Sequence, residues 1–306
     1  MKERKLEVYL GERFVGTMAQ TADRRVAFAY SEKWLDNGFA ISPFSLPVEQ
    51  KVFVPTSQAF SGLWGVFANS LPDAWGQLLV DRMLKAREIL SADMTQLERL
   101  TIVGDSGMGA LSYRPAWNIQ QDAAIGDLDE LSAQCHAILN HEDAGDLDEL
   151  FQMGGSSGGA RPKIMTDEWI IKFPASDEMK DSGTMEKAYM DCAAGCGIIV
   201  PETKLMPSDV CAGYFAVKRF DRRKTDGHIE RQHMLTAAAI LEVDWRTAAM
   251  DYHKHYAEME DGQVTLGLDY HTMIVNAQTG EFMNPADLKD NLLKCPDIIT
   301  WNDITR

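Results

Sequence analysis

The first third of the chain carries two successive hydrophobic periods. Apolar residues alternate with polar ones over Leu6–Leu10, Phe14–Met18 and Val26–Tyr30, and short turns separate these runs. Alternation of this kind is typical of strands with one buried face. Over Asp73–Leu90 the apolar spacing becomes helical, behind a Ser-Leu-Pro-Asp start signal. The pattern therefore predicts a small β meander followed by a helix.

The second half of the chain changes to a mixture of loop, strands and helices. A glycine loop, a lysine-bearing strand, a glutamate-bearing helix and a strand running to a hinge follow one another, as in the smaller lobe of a protein kinase. We therefore predict a kinase-like lobe here. Strands are predicted at Glu168–Pro174, Thr203–Met206 and Tyr214–Phe220, and helices at Met185–Cys196 and Glu230–Glu242.

Two segments lie between these regions. Asp-Leu-Asp-Glu-Leu occurs at 127–131 and again at 146–150, with its acidic residues where a helix N-terminus favours negative charge, which predicts two short connecting helices. The Gly-rich stretch Val103–Leu111 lacks the Lys-Ser/Thr pair that completes a phosphate loop. A structural turn beside a packed backbone is the better interpretation of it.

Charge and composition exclude some functions. The 306-residue chain has 46 acidic and 30 basic residues and a formal net charge of -16, which disfavours direct nucleic-acid binding. No run approaches the roughly 20 apolar residues of a membrane span, so a cytoplasmic protein is expected. The five scattered cysteines fit a reducing compartment. Cys192 and Cys196, four residues apart, are interpreted as small core residues rather than half of a zinc site.

Two neighbouring features suggest an anion-binding site. The segment Gly154–Lys163 offers backbone amides without obstructing side chains, which suits a phosphate loop, although a flexible linker is the alternative. Lys172 lies in an apolar strand, where an ammonium group needs an anionic partner. Glu186 on the next helix, together with a nucleotide phosphate, would supply that partner. A lysine that reaches the surface before Pro174 is the other interpretation.

The charged end of the last strand also has two interpretations. The backbone of Tyr214–Arg222 suits a hinge that presents polar groups to an adenine ring. Alternatively, Arg219, Asp221 and Arg222 form ion pairs on the surface.

Three strings make a family resemblance specific. They are Gly-Gly-Ser-Ser-Gly-Gly-Ala-Arg-Pro-Lys at 154–163, Trp-Ile-Ile-Lys-Phe-Pro at 169–174 and Arg-Phe-Asp-Arg at 219–222. In this order and spacing they resemble the ATP-binding half of HipA-family serine/threonine kinases, the toxin component of type II toxin–antitoxin systems. The resemblance extends upstream through 41–47 and 67–76 and downstream to 231–234.

This resemblance implies ATP and Mg2+ as cofactors and assigns roles to individual residues. The loop would close over ATP, with Ser156 or Ser157 as an inhibitory autophosphorylation site. Lys172 would hold phosphates and pair with Glu186, while Lys218–Phe220 would line the adenine hinge. The implied nucleotide-binding residues are Ser156, Ser157, Gly158, Gly159, Ala160, Lys172, Glu186, Lys218, Arg219 and Phe220.

The resemblance weakens in the C-terminal part. The family's catalytic loop has the form Asn-x-Asp-x-His-x-x-Asn, whereas residues 267–274 read Gly-Leu-Asp-Tyr-His-Thr-Met-Ile. Asp269 would be the catalytic base and Asp287 the metal ligand, but Gly267 and Ile274 occupy the two Asn positions. Because isoleucine supplies no oxygen ligand to magnesium, the catalytic region is expected to be shortened or degenerate.

Two functions follow from this resemblance. One is a HipA-like protein kinase that binds ATP with Mg2+, phosphorylates a protein serine or threonine and pairs with a HipB-like antitoxin. The other is a catalytically inactive, truncated pseudokinase that binds nucleotide or an antitoxin. The expected fold class is α+β, with a small β-rich domain at 1–120, connecting helices at 121–150 and a kinase-like lobe with a partial helical C-lobe at 151–306.

Overall fold

The chain folds into a mixed α/β structure with two four-stranded antiparallel sheets, each covered by helices. This agrees with the α+β class that the sequence predicts. Each sheet has its own hydrophobic core, called here the first core and the second core. A computed structural model describes residues 5–56, 58–72, 74–117, 126–142, 147–154, 159–175, 179–244, 264–268 and 271–275.

The N-terminal sheet is the predicted meander with one additional strand. The strands are β1 Lys5–Leu10, β2 Arg13–Gln20, β3 Val26–Tyr30 and β4 Leu111–Arg114. Their order in the sheet is β3-β2-β1-β4, so β4, which comes last in the sequence, forms the edge beside β1. Alternate residues of β1 are buried, which is the period of two that marks a strand on a core.

Helices cover this sheet and lead away from it. They are α1 Glu32–Asn37, α2 Gly65–Ala68, α3 Ala74–Ala86 and α4 Gln96–Val103, with 3-10 turns at Ala59–Gly62 and Ser91–Asp93. The predicted helix over 73–90 is α3, and it ends four residues early. Its buried residues Trp75, Leu79 and Met83 pack in the second core, so this helix supports the sheet that follows it in the chain.

The two acidic repeats lie at the starts of two helices, as predicted. These are α5 Leu128–Leu139, capped by the side chain of Asp127, and α6 Leu147–Gly154. Both helices contribute buried residues to the second core. Asp129 in the first turn of α5 accepts hydrogen bonds from Tyr214 at 2.7 Å and Ser208 at 2.6 Å, which ties this helix to the second sheet.

The second sheet and its helix are built from β5 Lys163–Met165, β6 Trp169–Lys172, α7 Ser182–Gly195, β7 Thr203–Met206 and β8 Tyr214–Lys218. The strand order is β5-β6-β8-β7, with every neighbouring pair antiparallel. Ile164, Ile171 and Ala216 lie opposite one another across three strands and are buried in the second core. The alternate residues therefore face the other side of the sheet.

The predicted helix Glu230–Glu242 is wrong. Residues 222–225 and 228–231 form a hairpin, β9 Arg222–Thr225 with β10 His228–Arg231, and only α8 Ala237–Ile240 is helical. Asp226 and Gly227 both have positive φ, at 49° and 82°. Two left-handed central residues make the turn that matches the twist of a two-residue hairpin, and Asp-Gly is a preferred sequence for it.

Two further strands, β11 Val264–Leu268 and β12 His271–Val275, form an antiparallel hairpin, with Leu268 opposite His271.

Two other sequence predictions concern cysteines and membrane spans. Cys192 and Cys196 are exposed, so their interpretation as core residues is wrong. In the part of the chain described above, no helix has the length and apolar character to cross a membrane.

Candidate functional site

Lys172 lies on the face of the second sheet that is turned away from the second core. Its neighbours across the sheet are Lys163 on β5 and Phe215 on β8, which share this face because directly paired residues project to the same side. The ammonium nitrogen of Lys172 is 5.3 Å from the centre of the Phe215 ring, a favourable cation–π distance. The strand therefore holds the stem of this lysine while 24% of its side chain remains exposed.

Helix α7 brings Glu186 to Lys172. The helix approaches the sheet closely at Gly183, where a Cβ atom would lie 2.4 Å from the carbonyl oxygen of Gly213. Any larger residue at this position would push the helix away from β8. Glu186, three residues later, accepts an ion-paired hydrogen bond from the Lys172 ammonium through Oε1. The pairing of these two residues, inferred from sequence, is present.

Arg161 joins the same carboxylate from the other side. Its Nη1 donates to Glu186 Oε2 at 2.7 Å, and its Nη2 donates to the hydroxyl of Ser182 at 2.8 Å. The three charged side chains Arg161, Lys172 and Glu186 are called here the loop cluster. They are between 22% and 27% exposed, so the cluster is open to solvent and to solutes.

The glycine-rich segment enters this site at its C-terminal end. Ser156, Ser157 and Gly158 lie outside the described residues, whereas Gly159 and Ala160 are described. The carbonyl oxygen of Gly159 accepts a hydrogen bond from the amide of Trp75 at 3.2 Å. The buried amine of Lys163 lies beside Gly159, where an added Cβ would sit 3.0 Å from it. The N-terminus of α3 therefore anchors the segment next to Lys163.

The hinge segment is placed differently from the loop cluster. Lys218 is exposed and pairs with Glu202 at 2.8 Å, and Phe220 is 65% exposed. The backbone amides of Lys218 and Arg219 already donate to the carbonyl oxygens of Glu202 and Glu168. An adenine ring at this segment would therefore have to bind through groups other than these two amides.

Arg219, Asp221 and Arg222 form a second group, called here the junction cluster. Asp221 is fully buried and accepts hydrogen bonds from Arg219 at 2.8 and 2.7 Å and from Arg222 at 2.7 Å. The interpretation of these residues as surface ion pairs is wrong, since their side chains are at most 10% exposed. Burial alone would raise the pKa of Asp221, but the hydrogen bonds and charge of Arg219 outweigh it and lower the pKa.

The junction cluster connects the two halves of the molecule. The amide of Gly109, in the Gly-rich turn before β4, donates to Asp221 at 2.9 Å. Arg222 donates to the carbonyl oxygen of Gly109 at 3.1 Å. Arg231 donates to the carbonyl oxygens of Asp105, Gly107, Gly109 and Leu111. Burial lowers the pKa of Arg222 to about 10, which leaves it charged at neutral pH. The Gly-rich stretch is thus a structural turn, held by arginines of the second half.

A cavity of about 640 Å³ lies beside this junction and not beside Lys172. Its lining combines aromatic and apolar residues with the charged groups of the junction, and includes Asp105, Trp117, Phe151, Trp169, Arg219 and Arg222. Arg219 and Arg222 already donate hydrogen bonds to Asp221 and to backbone carbonyl oxygens, so their charged groups have a structural role.

The predicted catalytic base Asp269 and the predicted metal ligand Asp287 lie outside the described residues. Of the two positions where the family pattern has Asn, Gly267 lies in β11 opposite Thr272, and Ile274 lies in β12 opposite Thr265. Among the described residues, no group of three or more His, Cys, Asp or Glu side chains is arranged to hold a metal ion.

Sequence reasoning missed several residues that build these two clusters. No contact of Arg161 is predicted from the sequence, although this residue lies in the string at 154–163 that carries the family resemblance. Gly183 and Arg231 carried no signal in a single sequence, because a close helix approach and bonds to a distant turn are tertiary features. The Asp226-Gly227 pair was a readable hairpin signal that the helical interpretation passed over.

Comparison with known proteins identifies relatives for both halves. A model described as the HipA N-terminal domain matches residues 6–114, and one described as the HipA-like C-terminal domain matches residues 155–280. No curated protein matches the chain. A solved structure from Shewanella oneidensis MR-1, described as a toxin–antitoxin system of HipA, HipB and its operator DNA, is similar with a TM-score of 0.54 and 17% identity. The match covers 83% of this chain and 58% of that one.

Proposed function

Because this chain belongs to the HipA family, we propose that its second sheet binds ATP with Mg2+ in the manner of a serine/threonine protein kinase. The observation that carries the proposal is the part-exposed ion pair between Lys172 and Glu186, on the face of that sheet turned away from the second core. In protein kinases, a lysine on the third strand of the small lobe contacts nucleotide phosphates and pairs with a glutamate of the next helix.

The surroundings of this pair support a phosphate ligand. Lys172 and Lys163 project from the same face, and the end of the glycine-rich segment at Gly159 lies against the Lys163 amine. Of these two lysines, Lys163 is buried and Lys172 is part exposed. Backbone amides beside a lysine that solutes can reach are groups that bind polyphosphates. The overall charge of -16 does not oppose this, because the local groups around a triphosphate determine its binding.

For phosphoryl transfer we propose a protein serine or threonine as the acceptor. Its hydroxyl oxygen would form a new bond to the γ-phosphorus, the bond from that phosphorus to the bridging oxygen of ADP would break, and Asp269 would take the hydroxyl proton. Asp287 is the proposed magnesium ligand. Both roles are taken from the family resemblance.

A second candidate is a binding module that holds nucleotide without transferring its phosphate. Gly267 and Ile274 favour it, since neither side chain offers an oxygen to magnesium where the family pattern has Asn. Turnover of ATP in the presence of candidate acceptor proteins distinguishes the two functions.

We also propose a HipB-like protein as a partner, because the solved relative is described in a complex with HipB and operator DNA. With a formal net charge of -16, this chain is poorly suited to contact a phosphate backbone over most of its surface. Contact with DNA would therefore run through the partner.

The test is a calorimetric titration with ATP, with and without magnesium, on the unmodified chain and on Lys172→Ala. We expect magnesium-dependent binding that is lost in the variant. Lys204→Ala is the matched control, because Lys204 pairs with Ala216 and so lies on the opposite face of the same sheet. Absence of binding by the unmodified chain, or equal binding by Lys172→Ala, would refute the proposal.

A further inference from the structure

Arg161, which lies in the glycine-rich segment two residues before β5, fastens this segment to the first turns of α7. Its guanidinium donates to Glu186 at 2.7 Å and to Ser182 at 2.8 Å. Ser182 and Glu186 are four residues apart, so they lie on one face of the helix. One side chain thus spans two points of the helix, which fixes both the position of α7 and its rotation relative to β5.

Glu186 is held at both of its oxygens. Lys172 donates to Oε1 and Arg161 donates to Oε2, so the carboxylate cannot turn without breaking one of the two ion pairs. The direction of the Lys172 ammonium therefore depends on Arg161 through their shared partner. A planar guanidinium provides this fixed two-point contact, whereas the ammonium of a lysine is a single point charge.

The exposure of these side chains argues that this arrangement serves a ligand. Arg161 is 22% exposed and Glu186 is 27% exposed, in contrast to the sealed arginines of the junction cluster. Ion pairs exposed to this degree contribute little to the stability of a folded protein. Two cations converging on one carboxylate at the end of a glycine-rich segment are therefore poorly explained by folding alone.

We propose that Arg161 is a positioning residue of the nucleotide site, which acts by holding Glu186 and thereby aims the Lys172 ammonium at the phosphates. This inference rests on the proposed function. It adds Arg161 as a residue that acts on the ligand indirectly, through the side chain of Glu186. Arg161 is expected to influence how tightly phosphates are bound and not whether the domain folds.

The experiment is a double-mutant cycle on ATP affinity, measured by calorimetry with magnesium, using Arg161→Gln, Glu186→Gln and the double variant. Arg161→Gln is expected to weaken ATP binding about tenfold, the scale of one charge-assisted contact. In the Glu186→Gln background, Arg161→Gln is expected to weaken ATP binding by less than about twofold, because the carboxylate through which Arg161 acts is already absent. Arg161→Lys should fall between the unmodified chain and Arg161→Gln. Arg223→Gln on the exposed strand β9 is the matched control.

Each outcome decides the inference. Unchanged affinity in Arg161→Gln, beside lost binding in Lys172→Ala, would overturn the positioning role and leave the proposed function intact. Independent losses that multiply in the double variant would also overturn it, since Arg161 would then act without Glu186. No ATP binding by the unmodified chain would overturn both. Should Arg161→Gln fail to fold, the cycle is run with Arg161→Lys, and the same comparison decides.

Discussion

The loop cluster and the junction cluster are built from the same parts, one carboxylate between two cations, but they differ in exposure. Glu186 is 27% exposed between Arg161 and Lys172, whereas Asp221 is fully buried between Arg219 and Arg222. The buried carboxylate also accepts a backbone amide, and its arginines donate to backbone carbonyls as well. The charged groups of the junction cluster make their hydrogen bonds within the fold and are therefore structural. The charged groups of the loop cluster remain part exposed and are available to a ligand.

The physical origin of this difference is the cost of dehydration. A charge removed from water must recover its hydration energy from protein partners, so a sealed cluster persists only when its polar atoms are bonded. The junction cluster meets this requirement by bonding the Gly-rich turn of the first half. The loop cluster keeps part of its hydration, so phosphate oxygens can replace water there at lower cost.

The largest expected effect is the loss of the buried carboxylate. Asp221→Ala leaves Arg219 and Arg222 without their anion, and we expect the free energy of unfolding to fall by about 3–5 kcal/mol in urea denaturation. Asp191→Ala removes a carboxylate from an exposed ion pair with Lys187 and should change it by less than about 1 kcal/mol. Similar stabilities for the two variants would contradict the structural role of the junction cluster.

The next effect concerns the arginine that holds the turn. Arg231 donates to four carbonyl oxygens between Asp105 and Leu111, and three of these bonds measure 2.8–3.3 Å. We expect Arg231→Gln to lower the free energy of unfolding by about 2–3 kcal/mol, because buried carbonyls lose a charged donor. Arg223→Gln, on the exposed strand β9, should be near neutral. An equally small effect at both positions would show that the turn is held by other contacts.

The open cluster should show the reverse behaviour. Glu186→Gln is expected to weaken ATP binding about tenfold, or about 1.4 kcal/mol, because Lys172 loses its fixed partner. Its effect on the free energy of unfolding should stay below about 1 kcal/mol, since the side chain is part exposed. Calorimetry and urea denaturation on one preparation measure both quantities. A large loss of stability with unchanged affinity would remove the distinction between the clusters.

The smallest expected effect is the pH dependence of stability that is caused by His233. His233 Nε2 bonds the carbonyl oxygen of Ile41 at 2.8 Å, and burial lowers the pKa of this histidine below its ordinary value of 6.5. The unfolded chain then binds a proton more readily than the folded chain. The free energy of unfolding is therefore unaffected by His233 above about pH 6.5. It declines as the pH falls below this value, by at most about 1.4 kcal/mol per pH unit. His233→Gln should flatten this slope between pH 5 and 7, as measured by thermal unfolding.

Local patterns predicted much of the fold and one pair of the candidate site. The alternation of β1–β3, the period of α3, and the strand–helix–strand order around Lys172 were readable, because each depends on neighbouring residues. The pairing of Lys172 with Glu186 followed from the cost of an unpaired ammonium group and from the family resemblance.

The remaining features depend on contacts between distant segments. Asp221 and Gly109 are 112 residues apart, and nothing in the sequence near either residue indicates that they bond. For the same reason the buried arginines resembled a charged surface strand. The hairpin of β9 and β10 is a different case, because its Asp-Gly turn is a local signal that the predicted helix over Glu230–Glu242 left out of account.

The most direct test of the central claim is amide hydrogen exchange, measured by mass spectrometry with and without ATP and magnesium. If the open cluster is the nucleotide site, exchange should slow in β5, β6 and the first turns of α7, which carry Lys163, Lys172 and Glu186. Exchange in β9, β10 and the Gly-rich turn should stay the same. Protection confined to the junction, or no protection anywhere at saturating ATP, would contradict the assignment of nucleotide binding to the loop cluster.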